Sequence, residues 1–307
     1  MSLLVVGSVA LDSVETPFGK VEDAVGGSAM YFSASASYYT DVRLVAVVGQ
    51  DFPQEPVTFL EGRGVDLSGL HRTDGETFRW KGKYGFDLNE AITLDTQLNV
   101  FGDFDPVLSE EYRQSDVVFL ANIDPTLQLK VLEQVENPRF VAMDTMNLWI
   151  NTKRDELEKV MSKVDMVVIN ETEARMFADE SNVVVAAQKI RELGPQFVVI
   201  KRGEYGALLF TPEDVFFAPA YPLEEVFDPT GAGDTFAGGL MGYLARNEKF
   251  GHHEMRLATI VGCVMASFDV EKFSYEALVD LDRDKIFNRF EKFRKLTSFG
   301  ELSLIDD

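Results

Sequence analysis

Val117-Val118-Phe119-Leu120 is the first of four uninterrupted apolar runs; Phe140-Val141-Ala142-Met143, Met166-Val167-Val168-Ile169 and Phe197-Val198-Val199-Ile200 follow. Each is about as long as one short strand, and none alternates apolar with polar residues as a half-wet strand does. Helix-like stretches at 126–136, 153–164 and 183–194 separate them. Parallel strands need a long crossover, and a helical crossover covers a face of the sheet. The pattern therefore predicts an α/β fold: a doubly wound, mainly parallel sheet with helices on both faces.

The flanking segments extend this sheet. Leu3–Val6 and Val42–Val48 read as further strands, with helices expected over 28–40 and 53–64, the second ending at Gly64. Ala207–Phe210 and Val215–Phe217 read as a hairpin at the sheet's edge, and the final third as helices over 233–247, 253–268 and 283–296. Between Thr77 and Thr96 aromatic and polar residues alternate around Gly82 and Gly85, the mark of a hairpin with one wet face. The expected organisation is a single domain over 1–307, with a small β appendage contributed by about 10–22 and 76–104. Ligands of such sheets bind beyond the carboxyl ends of the strands.

Composition narrows the function. The 307 residues are 46% hydrophobic, enough for a substantial core, and 29 basic against 51 acidic residues give a net charge of −22. That field repels nucleic-acid phosphates and anionic membrane surfaces, so neither is an expected partner. The single cysteine, Cys263, lies in an apolar run and reads as a buried hydrophobe. Leu3-Leu4-Val5-Val6 is too short for the apolar core of a signal peptide, and no run approaches the roughly 20 residues that span a bilayer. The expected location is cytoplasmic. The acidic tail Leu304-Ile305-Asp306-Asp307 reads as a frayed end.

The chemistry is concentrated in Asp228-Pro229-Thr230-Gly231-Ala232-Gly233-Asp234-Thr235-Phe236-Ala237-Gly238-Gly239. Small residues open directly into an apolar helix, so their N–H groups can approach a ligand at the helix's positive end. Such a loop suits a phosphoryl group with developing charge, and Asp234 beside it is placed to take a proton from an acceptor hydroxyl. A dinucleotide fingerprint fits less well, since Phe236 occupies the third glycine position, and no Walker A sequence occurs.

This segment resembles the C-terminal signature of the ribokinase-like (PfkB) carbohydrate kinases, and the resemblance runs over nearly the whole chain. Gly7-Ser8 with Asp12 is similar to the family's first strand end, Gly26-Gly27 to its di-glycine signature, Asn170-Glu171-Thr172-Glu173 to its Asn-x-x-Glu motif, and Lys201 to Gly206 to its nucleotide loop. The resemblance implies an ATP-dependent kinase acting on a hydroxyl of a sugar or nucleoside. It makes Asp234 the base and Gly231, Ala232 and Gly233 the anion hole. It makes Asp12, Gly26 and Gly27 substrate residues, and Asn170, Lys201, Gly203 and Gly206 nucleotide residues. Glu173 would act near Mg²⁺ through water, and Asp228 and Thr230 beside a monovalent cation such as K⁺. The residues alone leave alternatives open. Asn170 and Glu173 also read as a helix cap, Gly203 and Gly206 as a turn, and Asp12 as a solvated acid.

Two positions depart from the family's pattern. Tyr31 stands where an asparagine usually contacts the sugar; it reads either as a substrate contact with a flat apolar face or as a core residue. After the strand at 117–120 the chain has Ala121-Asn122-Ile123-Asp124-Pro125, which makes Asn122 a candidate contact. The appendage Arg79-Trp80-Lys81-Gly82-Lys83-Tyr84 corresponds to the family's β lid, which closes over substrate and pairs with a second subunit's lid in homodimers. A non-catalytic ligand sensor on the same fold is the reading from another class. Gly231 to Asp234, all intact, argue against it.

Overall fold

The computed structural model describes residues 1–298, so the tail at 304–307 lies outside the described residues. Its strands, in chain order, are β1 (Leu3–Val6), β2 (Ala10–Thr16), β3 (Gly19–Gly26), β4 (Val42–Val48), β5 (Asp66–Arg72), β6 (Phe78–Tyr84), β7 (Ala91–Gln97), β8 (Val117–Leu120), β9 (Phe140–Asp144), β10 (Met166–Asn170), β11 (Phe197–Lys201), β12 (Ala207–Phe210) and β13 (Val215–Ala218). One sheet has the order β13-β12-β11-β10-β9-β8-β1-β4-β5. Its strands run parallel from β5 to β11, and β12 and β13 add an antiparallel hairpin at one edge. The expected mainly parallel α/β sheet is what forms.

Burial on both faces explains why the central strands lack alternation. Leu3, Val5, Phe119 and Val168 pack into one core with the helices Ser28–Ala36, Ala232–Asn247 and His252–Asp269. Leu4, Val6, Val118 and Val167 pack into a second core with Pro125–Gln134, Arg154–Met161 and Val183–Arg191. Each fully buried aliphatic or aromatic side chain contributes about 1.5–3 kcal/mol. On the first face the helices approach closely through glycine: a Cβ at Gly242 would lie 3.0 Å from Ala36 Cα, and one at Gly238 2.8 Å from Ser35 Cβ.

The sequence gives no sign of β5. Asp66-Leu67-Ser68-Gly69-Leu70-His71-Arg72 carries no apolar run; it becomes a strand by pairing along β4, and Leu70 packs at the edge of the core. Short helices at Asn147–Thr152 and Glu171–Ala178 also escape the periodicity, being six and eight residues long.

A second sheet, β3-β2-β6-β7, stands apart from the first. β2 pairs antiparallel with β3 and parallel with β6, and β6 pairs antiparallel with β7. In the large sheet the chain leaves β1 for β4 and β5 on one side and later fills β8 to β11 on the other. The reversal opens a crevice at the carboxyl ends of β1 and β8, the usual ligand position in an open α/β sheet.

Candidate active site

The carboxyl ends of β1 and β8 to β11 deliver Ser8, Asn122, Asp144, Asn170 and Lys201 to this crevice, and the helix Ala232–Asn247 points its N-terminus at it. Gly231 caps that helix with φ 83, a left-handed conformation that side chains disfavour. A Cβ there would also run into the ring of Tyr31. The glycine is thus required twice, by the turn and by the aromatic floor beneath it. Ala232, expected among the anion donors, gives its amide to Pro229 O at 3.2 Å. The Gly231 and Gly233 amides have no main-chain partner among the described residues, so their N–H groups are open to a ligand.

Lys201 reaches the same loop. A Cβ on Gly233 would lie 2.9 Å from Lys201 Nζ, so the ammonium sits directly against the loop's backbone. Lys201 Nζ also pairs with Asp144 Oδ2 at 3.0 Å. Burial alone would lower this lysine's pKa, but the charges of Asp144, Glu173 and Asp234 outweigh it and hold the ammonium raised. Asp234 is pushed up to about 7, first by burial and then by Asp144, against the pull of Lys201. Burial and Asp144 likewise raise Glu173. The buried Asp144 and Glu173 and the partly exposed Asp234 therefore face one lysine, an excess of negative charge on hard oxygen donors that suits a divalent cation. Among the described residues no three His, Cys, Asp or Glu side chains converge to hold an ion by themselves. An ion here would keep water or ligand oxygens in its shell, as Mg²⁺ commonly does.

Asp144 is the residue that the sequence reading missed. It ends β9, and its Oδ1 accepts the Thr145 amide at 2.7 Å. The available signal was an acid directly after the run Phe140–Met143, at the carboxyl end of a parallel strand.

On the acceptor side Asp12 is buried and pushed up to about 7 by that burial, with the Gly27 amide opposing and the charges of Asp228 and Asp234 adding to it. It is not a solvated turn acid. Gly26 has no room for a Cβ because the Asp12 carboxylate lies against it. Gly27, at φ 94, presses on Ser8 O, where a Cβ would approach to 2.6 Å. Tyr31 is only 2% exposed, its ring under Gly231, and its hydroxyl is held well above its usual pKa by burial and by Asp269, Asp12 and Asp228. The amide of Asn122 is occupied by neighbours: Oδ1 accepts from Trp149 Nε1 at 2.9 Å and Nδ2 meets Met146 Sδ at 3.2 Å.

Asp228 ties two loops together, accepting the Thr230 amide at 2.9 Å and the Ser274 amide at 3.4 Å. Thr230 Oγ1 meets the Tyr84 hydroxyl at 3.3 Å, so the smaller sheet touches the anion loop. Asp269, 1% exposed, has no hydrogen-bond partner within bonding geometry among the described residues, and burial and Asp228 hold it well above its usual pKa against the pull of the nearby Thr235 hydroxyl.

On the opposite side Asn170 and Glu173 form a reciprocal cap. Asn170 Oδ1 accepts the Glu173 amide at 2.8 Å and Glu173 Oε2 accepts the Asn170 amide at 3.0 Å. The cap holds Glu173 close enough to Lys201 for their charges to interact. Gly206, at φ 89, closes a turn that packs on Ala218 and Pro219. Gly203, at φ 53, faces Asn89 of the turn between β6 and β7.

The model of the pfkB family carbohydrate kinases matches residues 3–277. The chain is 34% identical over 251 residues to the cytidine kinase of Thermococcus kodakarensis, covering 79% of this chain and 88% of that one. The nucleoside kinase of Methanocaldococcus jannaschii superimposes with a TM-score of 0.75 at 19% identity, over 95% of this chain and 98% of that one. A ribokinase-type structure from Escherichia coli, in complex with ATP and Mg²⁺, gives 0.77 at 18% identity, over 96% and 99%. With the glycine loop, the acid at its helix start and the family match in agreement, the chain belongs to the pfkB family of carbohydrate kinases, phosphotransferases with an alcohol group as acceptor.

Proposed function

We propose that this chain is an ATP-dependent nucleoside kinase that phosphorylates a primary hydroxyl, with cytidine the first acceptor to test. The similarity to the Thermococcus cytidine kinase carries the choice of acceptor. The aromatic Trp80 and Tyr84 of the smaller sheet favour an acceptor with a flat ring, whereas Tyr31, expected as a substrate contact, is a core residue under Gly231 and offers the acceptor no face. A free sugar is the second reading, supported by the family's carbohydrate-kinase description.

The reaction needs a base, donors for the transferring group and exclusion of water. Asp234 takes the hydroxyl proton as the acceptor oxygen attacks the γ-phosphorus and the bond to the β-bridging oxygen breaks. The amides of Gly231 and Gly233, with Lys201, stabilise the charge that gathers on the phosphoryl oxygens and the leaving diphosphate. Asp12 and the di-glycine turn orient the acceptor. Asn170, Gly203 and Gly206 shape the nucleotide side. Mg²⁺, when bound, screens the phosphate charge, and Glu173 holds it through water. A monovalent cation beside Asp228 and Thr230 completes this reading; an activity titration with K⁺ tests it.

The smaller sheet acts as a lid over the acceptor. All of β7 is exposed, including Ile92 and Leu94, which supports pairing of two lids in a homodimer. No helix among the described residues is long and apolar enough to cross a membrane, which fits a cytoplasmic enzyme. The test is ADP release with ATP and Mg²⁺ across nucleosides and sugars, for the wild type and Asp234→Asn. The variant should lose turnover by about 10²–10⁴-fold and still bind ATP. Near-normal turnover in the variant rules out the proposed base, and turnover of sugars alone rules out the nucleoside.

A further inference from the structure

We infer that the turn joining β6 to β7, residues 85–90, is part of the nucleotide site, with Asn89 and Glu90 as contacts that the smaller sheet supplies to the nucleotide. The inference rests on the ATP-kinase reading above and assigns residues that the motifs do not reach.

The turn leaves the acceptor side at Tyr84, whose hydroxyl meets Thr230 Oγ1 at 3.3 Å. It then crosses to the carboxyl ends of β10 and β11. There Thr172 Oγ1 donates to Glu90 Oε1 at 2.5 Å. Asn89 Oδ1 lies against Gly203, where a Cβ would collide with it. Two independent contacts therefore dock the turn on the segments that carry Asn170 and Lys201. Between the turn and the strand ends is a cavity of about 300 Å³, bounded by Asn89, Glu90, Asn170, Lys201, Gly203 and Tyr205.

The chemistry of this cavity is polar at both ends. Lys201 presents a cation at its inner end, beside the anion loop. Glu90 presents a carboxylate, which accepts hydrogen bonds from hydroxyls and repels phosphates. Asn89 adds one donor and one acceptor group. Arg175 and Arg202 also line the cavity, and both pair with Glu171, so Lys201 is the cation nearest the anion loop. A ligand with an anionic end and a hydroxyl-bearing end fits with phosphates toward Lys201 and ribose hydroxyls toward Glu90. A nucleoside triphosphate has that form. One sheet would then close both sites, Tyr84 on the acceptor side and Asn89 with Glu90 on the nucleotide side. Each ligand strengthens the other's binding through it, and the coupling is reciprocal.

Calorimetric titration of the full chain with a non-hydrolysable ATP analogue and Mg²⁺, with and without the acceptor found in the screen, tests the inference. In the wild type, acceptor should tighten analogue binding by on the order of tenfold. Asn89→Ala and Glu90→Ala should each weaken the analogue by roughly 3–10-fold. Both should erode the coupling and leave acceptor affinity without nucleotide within about twofold. Combining Glu90→Ala with Thr172→Val should cost less than the sum of the single changes. Analogue affinity within about twofold of wild type in both single variants, with coupling intact, overturns the inference. A wild type that phosphorylates no acceptor counts against the kinase reading instead, while analogue binding still decides the role of Asn89 and Glu90.

Discussion

The partly exposed Asp234 and the buried Asp144 share one lysine, and that unequal arrangement sets the acid–base behaviour of the site. With Asp234 pushed up to about 7, its carboxylate form, the one that accepts a proton, gains population as pH rises through 7. We expect kcat/KM to climb from about pH 6 to pH 8 and then level off; a pH–rate profile checks this. Asp144→Asn removes the like charge and frees Lys201 to face Asp234. It should move the acid limb down by about half a unit or more, and raise the KM for ATP because Lys201 loses its anchor. An unmoved limb means that Asp144 does not act on the base. The sequence shows Asp234 plainly, since it sits in the whole stretch from Asp228 to Gly239, where small residues open directly into an apolar helix. Asp144 stays hidden there, because one acid after an apolar run is ordinary until a fold places Lys201 beside it.

At the scale of elements, the helix Ala232–Asn247 carries both the chemistry and the packing. Its first turn holds the anion loop, and the next turns lay Gly238 and Gly242 on the helix Ser28–Ala36. Gly231→Ala imposes a left-handed alanine and a clash with Tyr31, so we expect it to cost about 1–3 kcal/mol of stability together with most of the turnover. Gly242→Val should lower stability by about 1–3 kcal/mol, by forcing two helices apart, with ATP affinity in the folded fraction unchanged. Thermal melts and analogue titration separate the two effects. The cap at Asn170 and Glu173 is legible as a motif, because both partners lie within one helical turn. β5 is not legible: its strand state comes from its neighbour β4, and seven residues without an apolar run carry no signal of that pairing.

Across the whole molecule, five carboxyls, the buried Asp12, Glu173, Asp228 and Asp269 and the partly exposed Asp234, are raised chiefly by loss of solvent. The folded chain keeps protons on them that the unfolded chain releases near pH 4, so they favour folding at low pH and lose that contribution as pH rises through about 7. A net charge of −22 adds self-repulsion in the same direction. We expect the ligand-free Tm to fall by roughly 5 °C or more between about pH 5.5 and pH 8, and Mg²⁺ with an ATP analogue to recover part of the loss. A Tm that rises over this range contradicts the burial of these acids. The apolar runs by themselves determined a parallel sheet covered on both faces, and the glycine loop by itself marked the helix start proposed for phosphoryl chemistry, because periodicity and helix-end geometry act within a few residues. Tertiary structure alone decided that Tyr31 underlies Gly231, that Asp144 pairs with Lys201 and that the turn at 85–90 reaches Gly203. Those contacts join residues far apart in the chain, and a polar side chain acquires its partner only when the crossovers bring the strand ends together.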